Sequence, residues 1–254
     1  MEANKKVIGF TKDVTRRLQA AIGDDLLGVY LHGSAAMEAF QYLRSDIDML
    51  AISKRALTDA ESRRIGDLLM DPEMPCPGSG LEFSLVTDES LDVASKSPAF
   101  EVHLTTVPSD RKFVDGHGHP GDPDLILHYA MCRARGRAVY GPAPADILPM
   151  VPRDWVLEAM IEELDWAVEH APPHYAILNA CRAVCYAETG EFVSKLEGGH
   201  WYTRTRKHTG PVHFALREQN GRAKVSPNPQ QAQLIVETAL DILNEALWEE
   251  KANA

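Results

Sequence analysis

At 254 residues, 44% hydrophobic and 25% charged, the chain has the composition of a soluble globular protein with room for one large domain or two ordinary ones. Its 26 basic and 37 acidic residues give a formal net charge of −11, which argues against a general nucleic-acid binder, since phosphate contacts need a basic surface. The surplus of acid instead suits cationic small molecules or metal-bridged anions. There is no apolar leader in MEANKKVIGF and no apolar run long enough to span a bilayer, so a cytoplasmic location without membrane contact is expected. Cys76, Cys132, Cys181 and Cys185 fit no paired zinc spacing and are expected to be reduced.

Residues 6–22 predict an amphipathic helix, with Val7, Phe10, Val14, Leu18 and Ala21 on its apolar stripe. Leu26 to Leu31 is an apolar run of strand length that leads into Gly33-Ser34, and a helix-like turn is expected from Ala35 to Phe40. The next strand is predicted from Asp46 to Ile52, followed by a helix from Thr58 to about Met70 with a capping signal at its start. Leu81 to Val86 alternates as a strand, with Glu82 and Ser84 on one face, and residues 100–107 form a further strand candidate. A loop is expected over 115–123, and a helix from Asp124 to about Arg137. Prolines crowd the stretch from Tyr140 to Pro152, which marks the expected boundary between a domain of residues 1–148 and one of residues 149–254. Beyond it, helical periodicity covers Asp154–His170, Tyr175–Thr189, roughly Gly199–Thr209 and Gln230–Ala252, the last placing Leu234, Ile235, Ala239, Ile242 and Leu243 inward. The fold class that follows is an α/β N-terminal domain with a mixed sheet and an all-α C-terminal bundle.

The chemistry concentrates at Leu31-His32-Gly33-Ser34-Ala35 and Ser45-Asp46-Ile47-Asp48. Side chains two apart on a strand share a face, so Asp46 and Asp48 point the same way. Two unpaired like charges are costly in an apolar strand, and a hard divalent cation such as Mg²⁺ explains both. The glycine turn lets backbone N–H groups approach phosphates, and Glu82 is placed to accept a proton from an acceptor hydroxyl. The combination suits nucleotidyl transfer from a nucleoside triphosphate. His117 and His119 read as solvated loop residues, and His103 as a hydrogen-bonding strand histidine that could line the acceptor pocket. Arg182 on an apolar helical face is either a buried ion-pair partner or a phosphate clamp, and the clamp is favoured because its guanidinium fork matches phosphate geometry. Glu162, Glu163, Asp165 and Glu169 read as a solvated helix face.

Gly33-Ser34 with Ser45-Asp46-Ile47-Asp48 resembles the signature of the polymerase-β-like nucleotidyltransferase superfamily. Nearly the whole chain resembles the streptomycin/spectinomycin adenylyltransferases among the aminoglycoside nucleotidyltransferases. The resemblance extends over Tyr140-Gly141-Pro142 and the more particular segment Thr189-Gly190-Glu191-Phe192-Val193-Ser194-Lys195, ending in Trp201. It implies transfer of AMP from ATP, with Mg²⁺, to a hydroxyl of an aminoglycoside or aminocyclitol, spectinomycin and/or streptomycin, conferring antibiotic resistance by a monomeric cytoplasmic enzyme. By the same resemblance, Asp46 and Asp48 hold the metal, with Glu82 as base and further ligand. Gly33, Ser34, Ser45, Arg182 and Lys195 meet the triphosphate, and Asp124 contacts the nucleotide. His103 stands in the region of a family tryptophan, Pro172 and Tyr175 replace an acidic residue and a histidine, and a family tyrosine is replaced near Gln219, so His103 and Tyr175 are the acceptor-side candidates. Transfer to another small molecule or a protein side chain, or nucleotide binding without catalysis, are the rival expectations.

Overall fold

The apolar runs of the first half assemble into a mixed sheet because the two central ones are hydrophobic on both faces, the pattern of strands covered on both sides. The computed structural model describes residues 2–92, 95–222 and 225–253, and the chain divides into two units, Met1–Val151 and Pro152–Ala254. The first unit runs α1 (Glu2–Ile22), β1 (Leu26–Leu31), α2 (Gly33–Ala36), β2 (Ile47–Ser53), α3 (Asp59–Leu69), β3 (Leu81–Thr87), β4 (Val102–Thr105), β5 (Lys112–Asp115), α4 (Leu125–Arg135), β6 (Arg137–Tyr140) and α5 (Pro144–Ile147). The strands order as β5-β4-β3-β2-β1-β6; β2 and β3 pair in parallel and every other neighbouring pair is antiparallel.

Strand alternation splits the core into two clusters. Ile47, Met49 and Ala51 of β2 with Leu81, Phe83 and Leu85 of β3 face the apolar stripe of α1 (Val7, Phe10, Val14, Leu18) and α3 (Ile65, Leu69). Leu50, Ile52 and Val86 face the other way, against Leu125, Tyr129 and Cys132 of α4. Thr58 caps α3 through a reciprocal box with Glu61, as its sequence signature predicts. The expected elements shift at several points. The turn after β1 is helical at Gly33–Ala36 rather than Ala35–Phe40, and Asp46 lies one residue ahead of β2. The short strands β5 and β6 were not anticipated; both are four-residue edge strands, too brief to show a period against flanking polar residues.

The second unit holds α6 (Arg153–His170), α7 (Pro173–Thr189), α8 (Lys195–Thr205), α9 (Gly210–Gln219) and α10 (Pro229–Asn253). Helix α7 is its centre. Ile177, Leu178, Ala180, Cys181, Val184 and Cys185 are all buried, and α6, α8, α9 and α10 pack around it. The segment from Thr189 to Lys195 is a stop-and-start signal: Gly190 ends α7 in the left-handed region at φ 74°, and Ser194 opens α8 with a capping box to Glu197. Helix α8 therefore begins at Lys195, not near Gly199. Leu234 is exposed, and α10 buries Ala232, Ile235, Val236, Ala239 and Leu243. None of the described helices is long and apolar enough to cross a membrane.

The first turn of α8 approaches α7 at glycine. A Cβ on Gly198 would lie 2.8 Å from the Arg182 Cα, and one on Gly199 would meet Leu178 and Leu216 side chains at 2.8 and 2.7 Å. Gly198→Ala forces backbone apart and is expected to destabilise the helical unit by about 1–3 kcal/mol, read from the urea midpoint. An unchanged midpoint would show that α8 does not depend on this close approach.

Candidate active site

The parallel pairing of β2 and β3 places Asp48 directly beside Glu82. Both are the second residue of their strand, so each projects at the strand's entry on the face that further along carries Leu50 and Ser84. Asp46, just ahead of β2, turns its carboxylate to the same point. One oxygen from each of Asp46, Asp48 and Glu82 lies within 4.8 Å of the others, and all three side chains are half-buried. At an effective dielectric near 20, each like-charged pair at this separation costs about 3 kcal/mol. Three carboxylate oxygens make a donor set suited to a hard divalent cation, which turns that mutual repulsion into attraction.

The preceding turn is built against this trio. The N–H of His32 donates to the Asp48 carbonyl at 3.0 Å, anchoring the end of β1 on β2. Gly33 follows with φ +60°, and a Cβ there would fall on the Asp48 carboxylate, so both conformation and space require glycine. Ser34 then places its Oγ in a buried position without a hydrogen-bond partner among the described residues. Ser45 is held in its turn, its Oγ accepting the Gln41 N–H at 3.1 Å and its carbonyl the Ser79 N–H at 2.9 Å. A residue that sequence reasoning passed over lies behind the turn. The His32 ring is fully enclosed and packs 5.1 Å from that of His128 on α4; burial first, and His128 second, hold its pKa well below the usual value, so the ring is neutral.

The next row of the sheet continues the polar face. His103 on β4 is the register partner of Ser84, and its Nδ1 lies 3.0 Å from the Ser84 Oγ and 3.8 Å from an Asp122 carboxylate oxygen. Desolvation lowers the His103 pKa, with Asp122 opposing it. Thr105 stands opposite Glu82 itself. Asp122 and Ser84 were not singled out as partners of His103, because the contact forms between a loop and two strands distant in sequence. Asp124 is exposed at the start of α4, outside the carboxylate trio, and its N–H donates to Asp122 at 3.0 Å. His117 is exposed, while His119 packs its ring 4.8 Å from Phe100.

In the helical unit, Arg182 is half-buried on α7 and enters no ion pair among the described residues. Lys195, the first residue of α8, lies over the Tyr175 ring with its Nζ 3.6 Å from the centroid. Tyr175 donates its O–H to Glu163 at 3.0 Å, and Asn179 donates to the same oxygen at 2.8 Å. Glu163 is thus an anchored carboxylate rather than part of a solvated face.

Residues 146–245 match the family described as the C-terminal domain of aminoglycoside adenylyltransferase. Spectinomycin 9-adenylyltransferases of Staphylococcus aureus, strains Mu50 and N315, are each 26% identical to the chain over 193 residues, covering 70% of it and 71% of the relative. A crystal structure of a spectinomycin adenyltransferase from Enterococcus faecialis with ATP and spectinomycin shares the fold, with a TM-score of 0.71 at 16% identity, covering 93% of this chain and 98% of that one.

Asp48→Asn removes one charge from the trio. The unfolding midpoint in EDTA is expected to stay the same or rise by a few degrees, while any gain that Mg²⁺ gives the wild type is lost. A variant that keeps the full Mg²⁺-dependent gain would show that Asp48 does not bind the ion.

Proposed function

We propose that this chain, a member of the aminoglycoside adenylyltransferase family, transfers AMP from ATP to a hydroxyl of spectinomycin or a closely related aminocyclitol and releases pyrophosphate. The observation that carries the reading is the convergence of Asp46, Asp48 and Glu82 beside a glycine turn with a buried, unsatisfied serine hydroxyl. The three carboxylates fit Mg²⁺, which when bound would screen the triphosphate charge and orient the α-phosphate.

The chain's own groups supply the rest. Glu82 accepts the proton as the acceptor oxygen attacks the α-phosphorus and the bond to the β-phosphate oxygen breaks. The Gly33-Ser34 turn offers backbone N–H groups and the Ser34 O–H to phosphate oxygens, and Ser45 contacts the same chain of phosphates. Lys195 and Arg182 neutralise the charge that builds on the departing pyrophosphate. Asp124 contacts the nucleotide.

His103 is assigned to the acceptor side. It shares a sheet face with Glu82, one pair of residues along the strands, and Ser84 with Asp122 fixes its ring. Spectinomycin is preferred over streptomycin because the curated relatives and the structural neighbour that match are named for it. Action as a cytoplasmic monomer belongs to the same reading.

Pyrophosphate release from Mg·ATP should be seen with spectinomycin among a panel that includes streptomycin and other aminoglycosides. Turnover with none of them would sink this reading, and turnover with streptomycin alone would reassign the acceptor. Glu82→Gln should lower kcat about 10²–10⁴-fold while ATP still binds. Near-wild-type turnover in that variant would remove the base role.

A further inference from the structure

Lys195 occupies the first helical position of α8, behind the Ser194 cap. The positive end of the helix dipole disfavours a cation there, so local helix energetics would select an acidic residue. What holds the lysine is the neighbouring helix. Gly198, one turn further on, brings α8 against the Arg182 backbone of α7, and Lys195 then lies on the face of Tyr175, Nζ to centroid 3.6 Å. A cation at this distance is attracted by the ring's electron-rich face.

The ring is itself fixed. Its O–H and the Asn179 amide, on successive turns of α7, both donate to Oε1 of Glu163 on α6, at 3.0 and 2.8 Å. Burial pushes the Tyr175 pKa up, and the Glu163 charge adds to this, so the phenol stays neutral and remains a donor. Asn179 is nearly fully buried, and its amide nitrogen is held by Glu163. The result is a chain from Glu163 through Tyr175 to Lys195 that spans three helices and ends on the ammonium.

We propose that Tyr175, anchored by Glu163 and Asn179, is a positioning residue that seats the Lys195 ammonium for the ATP phosphates, and that it serves the nucleotide rather than the acceptor. This rests on the phosphate role proposed for Lys195 above. Pre-seating a long, flexible side chain removes part of the entropy cost of ordering it when the nucleotide arrives.

The test uses the full chain, with ATP binding followed by titration calorimetry in Mg²⁺ and with KM measured for ATP and for spectinomycin. Tyr175→Leu, which removes the ring, should weaken ATP binding and raise its KM roughly three- to thirtyfold. The KM for spectinomycin should stay within about twofold of wild type, since the ring is assigned to the nucleotide side. Tyr175→Phe keeps the ring and close to the native volume, so it should recover most of the ATP affinity. Glu163→Gln, with a neutral acceptor in place, should fall between the two. In the Lys195→Ala background, Tyr175→Leu should add little further loss of ATP affinity, since the two residues act as one unit. A full additive loss, or a change confined to the spectinomycin KM, would overturn the positioning role. Wild-type ATP affinity in Lys195→Ala would instead overturn the phosphate role of Lys195 and the positioning inference with it.

Discussion

The architecture of the first unit turns on one electrostatic conflict: three carboxylates held within 4.8 Å of each other at the entry of two central strands. Nothing in the packing of the sheet requires it. The apolar faces of β2 and β3 would be satisfied by any polar residues at those ends, and repulsion of about 3 kcal/mol per pair opposes the arrangement. What holds it is backbone geometry. Parallel register fixes Asp48 beside Glu82, two buried clusters clamp both faces of the strands, and the His32 N–H ties the glycine turn to β2. The scaffold thus holds together a local cluster of carboxylates that could bind a cation.

The second unit sets a lysine over an aromatic ring within a helical bundle. Helix α7 is buried on nearly all sides, so the polar groups Tyr175, Asn179 and Arg182 stand out against an apolar background. Two of them are tied to Glu163 of α6. The close approach of α8 at Gly198 makes the lysine at its start a neighbour of this face.

Much of this is legible in sequence because it rests on short-range patterns. The spacing of Asp46 and Asp48, the glycine turn at Gly33-Ser34, the alternation that puts Glu82 on a particular face and the capping signal at Thr58 are all local. The mixed sheet and the helical second half also follow from periodicity. What escaped depends on contacts between distant segments or on elements too short to carry a period. Glu163 reads as solvated until Tyr175 and Asn179 reach it from the next helix. Leu234 reads as core on α10, yet lies outside because no neighbour covers that flank in the described residues. β5 and β6 are four residues long, and α9 opens on Gly210-Pro211, a pair that signals a turn although proline also suits a helix's first positions. The His32–His128 pair joins a strand end to a helix almost a hundred residues on, and no window of sequence contains both.

The central claim is that the carboxylate trio and the glycine turn act together as a site for a metal-bound nucleotide. Its most direct test is a calorimetric titration of ATP into the full chain, once with Mg²⁺ and once with EDTA. The account predicts saturable binding with Mg²⁺ and little or none in EDTA, because without a divalent cation the negative triphosphate would meet three carboxylates of like charge. Equal affinity in the two conditions would contradict it.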